Sequence, residues 1–297
     1  MKRFLPFALS ASAVALALMS TSCGNTQKSP DKIVTYDGPT FFKPVMQDVV
    51  ADTVFDFDGN KIETTRVSRY ASVDDTNNFI SLNIYASRTN DAINGALSKY
   101  IGEAVDAFSQ IDDSVKEMPV DSALNIDAAR MVNIADSTVT YFSSKVIPQA
   151  EADSVIAVNL AIELKPVWAD DTYVTYMMSS QTYLGGAHGE DDIYLQSYDR
   201  KTGAPMGFYN LIPSDRQDAI RAQLLDIISR SQNMTVDQYL ASVNQWIGNQ
   251  GADNWTVKTF PIAHVALTGQ GYVFYYPKYT IAPGSEGCPV YVVPIKK

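Results

Sequence analysis

The chain has 297 residues, of which 46% are apolar and 19% are charged, a balance typical of globular proteins that excludes a mainly disordered chain. Its 33 acidic and 23 basic side chains give a net charge of −10, which repels phosphate backbones and argues against a nucleic-acid partner. Two cysteines and two histidines exclude a cysteine-rich zinc site and a scaffold of several disulfides. We therefore expect a globular protein without a metal or another cofactor.

The first 22 residues have the pattern of a signal peptide. Two basic residues precede an apolar stretch from Phe4 to Met19, which is short for a membrane-spanning helix. Small residues then lead to Cys23, and this arrangement resembles a bacterial lipobox. We predict a lipoprotein signal peptide over residues 1–22 and a lipid on Cys23. The alternative is an ordinary secretory signal.

Lipidation of Cys23 would place the protein in the cell envelope of a bacterium, anchored to the outer or the cytoplasmic membrane on its extracytoplasmic side. The polar stretch over residues 23–40 is typical of a flexible tether. Cys288 would then be the single remaining thiol, so no intramolecular disulfide is expected. No later segment approaches about 18 consecutive apolar residues, so we predict no further membrane-spanning segment.

The N-terminal half combines strand patterns with one strong helix pattern. Residues 45–71 predict two strands around the turn Asp58-Gly59-Asn60, and residues 79–86 alternate as a third strand. From Ile93 to Phe108 the apolar residues recur at the spacing of an amphipathic helix that packs on a sheet. The pattern over residues 110–150 is mixed and indicates weak helicity.

The C-terminal half predicts a meander followed by a helix pair and a strand-rich tail. The predicted order is strands over residues 155–164, 172–183 and 193–198, helices that begin at capping boxes at Ser214 and Thr235, and strands from Val257 onward. The predicted fold class is α+β, with antiparallel sheets packed by one long helix in the N-terminal half and a helix pair in the C-terminal half. We place an N-terminal subdomain at residues 41–150 and a C-terminal subdomain at residues 151–297.

Catalytic signatures are sparse. Only His188 and His264 could serve a catalytic triad, and neither neighbours a nucleophile-elbow sequence or a zinc-binding His-Glu-x-x-His pattern. Glycoside hydrolysis needs a pair of carboxylates, and two acidic runs could supply it: Asp170-Asp171 and Glu190-Asp191-Asp192. Neighbouring acids in a strand or a loop point to different sides, so we interpret both runs as solvated surface and assign no catalytic residue.

Two segments carry more information. In Tyr183-Leu184-Gly185-Gly186-Ala187-His188-Gly189, glycines that directly follow a strand permit positive φ, and His188 is either a structural residue of the bend or part of a binding site. Residues 271–287 contain four tyrosines within eight positions. Alternation along a strand places some of these rings in the core and others on the surface, where tyrosine offers contact area to proteins or sugars.

Together with one further motif, these segments resemble one family. The further motif is Tyr198-Asp199-Arg200-Lys201-Thr202-Gly203, and the tyrosine-rich segment contributes Tyr279-Thr280-Ile281-Ala282-Pro283 with Gly287. The family is that of the extracytoplasmic domain of the lysozyme-sensing anti-sigma factor RsiV, which is also the accessory domain of the peptidoglycan deacetylase PdaC. The resemblance covers roughly residues 60 to 295. It implies that this chain carries the domain as a stand-alone bacterial lipoprotein. Its motif positions are Tyr183, Gly185, Gly186, Ala187, Gly203 and Gly287.

The resemblance implies a domain that binds lysozyme directly outside the membrane. It implies ligand contacts at Tyr276, Pro277, Tyr279 and Pro283, to which we add His188 as a candidate. Many relatives have a tyrosine where this chain has Gly284, which weakens the transfer at that position. The sequence has no counterpart of these relatives' sigma-binding segment, transmembrane helix or deacetylase domain. We therefore expect neither signalling through a sigma factor nor deacetylase activity.

The expected function is therefore that of a non-enzymatic envelope lipoprotein. Its ligand would be a cationic protein such as lysozyme, which an acidic surface steers toward itself, or a peptidoglycan fragment. Two alternatives stay open at this point. One is an enzyme that modifies envelope glycans with carboxylates near His188, and the other is an accessory subunit of an envelope complex.

Overall fold

The computed structural model describes residues 44–74, 78–106, 108, 125–148, 157–185, 189–248, 254–262, 264–277, 279–282 and 288–295. The predicted signal peptide, Cys23 and the tether to residue 40 lie outside these described residues. Within the described part of the chain, no helix is both long and apolar enough to cross a membrane.

The larger sheet has seven strands that follow one another in chain order. They are β1 (Val49–Phe57), β2 (Asn60–Asp74), β3 (Asn78–Ser87), β4 (Asn159–Ala169), β5 (Tyr173–Tyr183), β6 (Glu190–Asp199) and β7 (Pro205–Met206). Neighbouring strands are antiparallel except β3 and β4, which run parallel. One pair in the predicted antiparallel sheet is therefore parallel, because a long connection containing helices returns the chain from the end of β3 to the end of the sheet at which β3 begins.

That connection contains α1 (Asp91–Asp106) and α2 (Ala128–Tyr141), followed by a π-helical turn (Phe142–Val146). The long helix predicted from its apolar spacing is confirmed as α1. Asn90 caps it, because its Oδ1 accepts the N–H groups of Ala92 and Ile93. The buried side chains of α1 and α2 share one core with the larger sheet; this core includes Leu82, Ile84, Leu97, Ile101, Met131, Leu164 and Tyr176.

The smaller sheet covers the opposite face of the larger one. It consists of β8 (His264–Thr268), β9 (Gly271–Tyr275) and β10 (Val290–Val293), in the order β10-β9-β8 and all antiparallel. Small and medium apolar side chains fill the interface; they are Met177, Leu195, Ala266, Val273 and Val292. The backbone of Leu267 also joins the two sheets, since its N–H donates to Ser197 Oγ at 2.8 Å and its carbonyl accepts from Thr175 Oγ1 at 2.5 Å.

Helices cover the outer face of the smaller sheet. They are α3 (Phe208–Leu211), α4 (Gln217–Ser231) and α5 (Val236–Gly248), so the predicted helix pair is confirmed as α4 and α5. The capping box at Thr235 forms, because its N–H donates to Gln238 Oε1 and its hydroxyl accepts the Gln238 N–H. The box expected at Ser214 does not, since a 3-10 turn (Ser214–Arg216) leads into α4 without a side-chain cap.

The described residues therefore stack as α1/α2, larger sheet, smaller sheet and α4/α5, which confirms the α+β class. The larger sheet takes strands from both sides of residue 150, so its hydrogen bonding continues across the boundary predicted between residues 41–150 and 151–297. Side-chain packing changes later in the chain. One core cluster ends with Tyr198, and the cluster beneath α4 and α5 begins with Phe208.

Candidate functional site

One end of the stacked sheets brings together the two segments that the sequence singled out. β6 leaves the glycine-rich bend at Glu190, and β9 ends at Tyr275. The Tyr275 hydroxyl donates to Asp192 Oδ1 at 2.6 Å. Tyr275 also pairs with His264 on β8 and with Val290 on β10. The bend and the tyrosine-rich segment after β9 thus lie at the same end of the molecule.

Aromatic rings lie beside this hydrogen bond, since the ring centroids of His264 and Tyr275 are 6.2 Å apart. The rings of Tyr194 and His264 meet edge to face with centroids 4.5 Å apart. Burial raises the pKa of the Tyr275 hydroxyl, and its hydrogen bond to Asp192 and the nearby Cys288 add to that rise. Burial lowers the pKa of His264, although the Asp192 charge partly opposes the effect. At neutral pH the Tyr275 hydroxyl is therefore a neutral donor and His264 is uncharged.

The start of β6 presents three acidic side chains at this end. Glu190, Asp191 and Asp192 are all exposed. Among the ion pairs of the described residues, none involves these three carboxylates. Among the described residues a donor side chain holds Asp192 alone, and the exposed Glu190 and Asp191 place their negative charge in solvent, where it attracts basic groups.

The tyrosine-rich segment divides into a buried and an exposed part. Tyr276 is completely buried, and its hydroxyl donates to the carbonyl of Pro261 at 3.0 Å. Its ring therefore belongs to the core and supports the segment from below, which corrects its expected position on the binding surface. Pro277 and Tyr279 are exposed, and Tyr279 shows 69% of its surface to solvent. His188, Pro283, Gly186, Ala187 and Gly287 lie outside the described residues.

Tyr279 also has an unusual backbone conformation. Its φ of 65° lies in the left-handed region, which costs a residue with a side chain energy that glycine does not pay. The turn is closed by the Thr280 N–H, which donates to the carbonyl of Pro277 at 3.2 Å. Strained residues of this kind occur often at binding and catalytic sites, where the surrounding structure holds them in place. Here the strain accompanies an aromatic ring that is turned toward solvent.

Other motif positions have structural roles in the sheet. Tyr183 ends β5 and is half-buried, and Gly185 follows with a φ of 78° that favours glycine. At the far end of β6, Asp199 Oδ1 accepts the N–H groups of Lys201 and Thr202 and so forms the next turn. Gly203 completes that turn with a φ of 71°.

Gly203 has a second reason to lack a side chain. A Cβ atom there would clash with Asn90 Oδ1, and it would lie 2.7 Å from the Cβ of Ala92. The turn therefore docks directly on the first turn of α1. These contacts lie at the opposite end of β6 from Asp192, which separates a folding motif from the acidic and aromatic end.

The two acidic runs differ in their surroundings. Asp170 Oδ1 accepts the N–H groups of Thr172 and Tyr173, so its carboxylate forms the turn between β4 and β5. Asp192 instead contacts the neutral Tyr275 hydroxyl. The described residues hold no group of three His, Cys, Asp or Glu side chains that could bind a metal ion. A glycan-modifying activity that uses carboxylates near His188 stays a prediction.

A cavity beside α3 and α4 was not found from the sequence. Its volume is about 460 Å³, and Arg221 and Lys258 are its cationic residues. Tyr209 stands beside it with 73% of its surface exposed. The sequence shows these two cations 37 positions apart, on a helix and in a loop, and no motif links them. Only the folding of the segment around Phe260 against α4 brings them together.

A protein-family model matches the C-terminal part of the chain. Residues 210–296 match the DUF3298 family, which is described as a protein of unknown function. The match includes α4, α5 and the smaller sheet with Tyr275. No curated protein matches the chain.

Two solved structures are similar to this chain. One is a DUF3298 family protein from Pseudomonas aeruginosa PAO1, with 17% identity and a TM-score of 0.44 over 78% of this chain and 90% of that one. The other is a DUF3298 family member from Bacteroides fragilis NCTC 9343, with 16% identity and a TM-score of 0.49 over 84% of this chain and 92% of that one.

Proposed function

We propose that the protein is a non-enzymatic binding module of the bacterial cell envelope, anchored by a lipid on Cys23, whose ligand is a basic protein such as lysozyme. The binding surface is the acidic–aromatic end, which we define as Glu190, Asp191, Pro277 and Tyr279. The observation that carries the proposal is the hydrogen bond from Tyr275 to Asp192, because it holds the acidic start of β6 beside the segment that carries Tyr279.

Charge supports a basic partner. The net charge of −10 attracts a cationic protein over long distances, and unpaired carboxylates at the acidic–aromatic end would orient it on approach. Such steering acts mainly on the association rate and weakens as salt is added. The predicted dependence on ionic strength is thus a direct test of the charge argument.

The exposed ring of Tyr279 supports a protein ligand in a second way. Tyrosine is enriched among the residues that dominate binding energy, because it buries a large area and loses little conformational entropy. The left-handed backbone of Tyr279 limits its conformations further. The motif resemblance to the lysozyme-sensing family agrees with this assignment, and the match to DUF3298 covers Tyr275 and Tyr279.

The test is a titration of the purified protein with lysozyme at low and at physiological salt. We expect saturable binding that Tyr279→Ala weakens by about tenfold or more, the loss of one hot-spot side chain. The double variant Glu190→Gln/Asp191→Asn should weaken binding several-fold at low salt and less at physiological salt.

A charge-matched control separates local from global electrostatics. Asp58→Asn/Asp171→Asn removes two exposed carboxylates from turns at the other end of the larger sheet. It should leave the lysozyme affinity within about twofold of the parent protein, apart from the small effect of net charge. Equal weakening by both double variants would contradict a localised surface. Binding of soluble peptidoglycan fragments at Tyr279 without any lysozyme binding would replace the proposed ligand.

A further inference from the structure

The cavity beside α3 and α4 concentrates positive charge in an acidic protein. Arg221 projects from α4 and Lys258 from the segment before Phe260, and both line the cavity. Among the ion pairs of the described residues, none involves either cation. By contrast, Arg230 on the same helix is paired with Asp226. Two unpaired cations at one concave surface indicate a place for an anion.

Arg221 is held in position with a donor to spare. Its Nη1 donates to the carbonyl of Phe260 at 2.6 Å, and its guanidinium carbon lies 5.3 Å from the centroid of the Phe208 ring. Its Nε is buried and has no hydrogen-bond partner among the described residues. The buried Nε cannot meet a ligand directly, but the Nη nitrogens are not buried in this way, and a guanidinium fixed by the Phe260 carbonyl can offer them to an acceptor that arrives from outside.

Three aromatic residues are among those that line the cavity. Phe208 and Phe260 are buried, whereas the ring of Tyr209 is exposed. Pro261 also lines the cavity, and the Tyr276 hydroxyl holds its carbonyl from behind. Burial raises the pKa of Tyr276, whereas the nearby charge of Arg221 acts in the opposite direction. Tyr276 therefore supports this cavity as well as the exposed segment.

We propose that this cavity binds a small ligand with a carboxylate on a ring-shaped body, such as a sugar acid or an aromatic residue with a free C-terminus. The carboxylate pairs with the guanidinium of Arg221 and the ammonium of Lys258, and the ring lies against the exposed ring of Tyr209. The planar arginine fork matches the geometry of a carboxylate. A volume of about 460 Å³ admits a ligand of this size. This site is independent of the proposed lysozyme surface.

A carboxylate fits these donors better than a phosphate does. The free donors at the cavity are those of one guanidinium and one ammonium group, and the two carboxylate oxygens can share them. A doubly charged phosphate has three acceptor oxygens and usually receives several backbone N–H groups as well. In the loop that lines the cavity, the N–H groups of Thr259 and Phe260 already donate to Thr256, and Pro261 has no N–H group to offer.

The test uses calorimetric titration of the purified protein with two matched probe pairs. N-acetylmuramic acid is compared with N-acetylglucosamine, and N-acetyl-phenylalanine is compared with its amide. Each acid should bind at least about tenfold more tightly than its uncharged counterpart, because a charge-assisted fork is lost without the carboxylate. The pair with the larger difference identifies the source, a sugar acid or a peptide C-terminus.

Variants locate the binding to the cavity. Arg221→Gln and Arg221→Lys should each weaken binding of the preferred acid by about tenfold or more, since both remove the planar fork. Lys258→Gln should weaken it by about threefold. The control Arg230→Gln removes a cation from the exposed face of the same helix and should change binding by less than about twofold.

Three results would overturn the proposal. They are the absence of saturable binding by both acids, equal weakening by Arg230→Gln and Arg221→Gln, and displacement of the acids by inorganic phosphate at an equal concentration. Thermal unfolding of each variant shows whether it is folded, and Arg221→Lys keeps the charge if Arg221→Gln is unstable. Unchanged lysozyme affinity in the Arg221 variants would separate this site from the acidic–aromatic end.

Discussion

The N-terminal region, residues 44–206, and the C-terminal region, residues 208–295, fill their cores with different side chains. The N-terminal region has strands of up to 15 residues and a core in which aliphatic side chains predominate. The C-terminal region has strands of four or five residues, and aromatic rings form much of its core; they are Phe208, Tyr239, Phe260, Tyr272, Phe274 and Tyr276. Short strands supply few ladder hydrogen bonds, so large rings supply more of the buried area.

Tyrosine hydroxyls sharpen this contrast. In the C-terminal region, the hydroxyls of Tyr239 and Tyr276 donate to the carbonyls of Ile281 and Pro261, which lie in connecting segments. In the N-terminal region, the Tyr176 hydroxyl is buried without a partner among the described residues. Aromatic side chains therefore fix the C-terminal loops, whereas regular strand pairing fixes the N-terminal sheet. Fixed loops can present binding residues, which agrees with the position of Tyr279 and of the Arg221 cavity in this region.

The largest expected effect comes from the aromatic core. Phe260 packs against the rings of Tyr239, Trp255 and Tyr276, so Phe260→Ala should lower the free energy of unfolding by about 3–5 kcal/mol. Urea unfolding followed by circular dichroism measures this change. Phe142→Ala is the matched control in the N-terminal region, and it should cost a similar amount. A loss below about 1 kcal/mol for Phe260→Ala would show that the rings are not the main support of this region.

A glycine substitution tests the turn after β6, which packs against the first turn of α1. Gly203→Ala should lower the free energy of unfolding by about 2–4 kcal/mol, because it combines a positive φ with a clash against Asn90. The control is Gly248→Ala at the end of α5, where a new Cβ meets open space. Chemical denaturation of both variants gives the comparison. Equal stability of the two variants would refute the close approach of this turn to α1.

Removing single hydroxyls compares the two regions directly. Tyr276→Phe should cost about 0.5–1.5 kcal/mol, because the Pro261 carbonyl loses its donor. Tyr176→Phe should be neutral or stabilising, since its buried hydroxyl has no partner among the described residues. The measurement is the shift of the urea-unfolding midpoint relative to the parent protein, at an unchanged dependence of the unfolding free energy on urea concentration. The same loss in both variants would remove the distinction between the two kinds of tyrosine.

Relief of backbone strain should have a smaller effect of the opposite sign. Tyr279→Gly should raise the free energy of unfolding by about 0.5–1 kcal/mol, because glycine adopts a φ of 65° without strain. The same variant should weaken lysozyme binding, since the exposed ring is lost. Thermal unfolding and the lysozyme titration are run on one preparation. Lower stability together with intact binding would mean that the ring packs on the protein instead of contacting a ligand.

The smallest effect concerns pH. Burial holds the pKa of His264 below its usual value, so the unfolded state binds a proton more readily than the folded state. His264 therefore has no effect above its ordinary pKa of about 6.5, and it destabilises the fold as the pH falls below that value. Because the side chain is partly exposed, the loss should stay below about 0.5 kcal/mol. Urea midpoints at pH 7 and pH 5 should differ less in His264→Gln than in the parent protein.

Local patterns were sufficient for much of the architecture. The apolar spacing of Ile93, Leu97, Ile101 and Val105 predicted α1, because a helix buries one face at that period. The turn at Asp58 and Gly59 formed as expected, with both residues at positive φ. The capping box at Thr235 likewise depends on neighbours within one helical turn. These features are local, so the sequence itself carries their physical cause.

The sequence by itself therefore determined the α+β class, the main helices and the alternation of the tyrosine-rich strand. Only the tertiary structure decided which side of that strand faces the larger sheet and which side faces the helices α4 and α5. Tyr275 faces the larger sheet and reaches Asp192, whereas Tyr276 faces the helices and supports Pro261. Alternation along a strand places neighbouring side chains on opposite faces of the sheet. Both faces of the smaller sheet are covered, so alternation alone cannot tell which face meets the larger sheet and which meets the helices. The parallel pairing of β3 with β4 and the meeting of Arg221 with Phe260 are long-range contacts, and no local pattern encodes them.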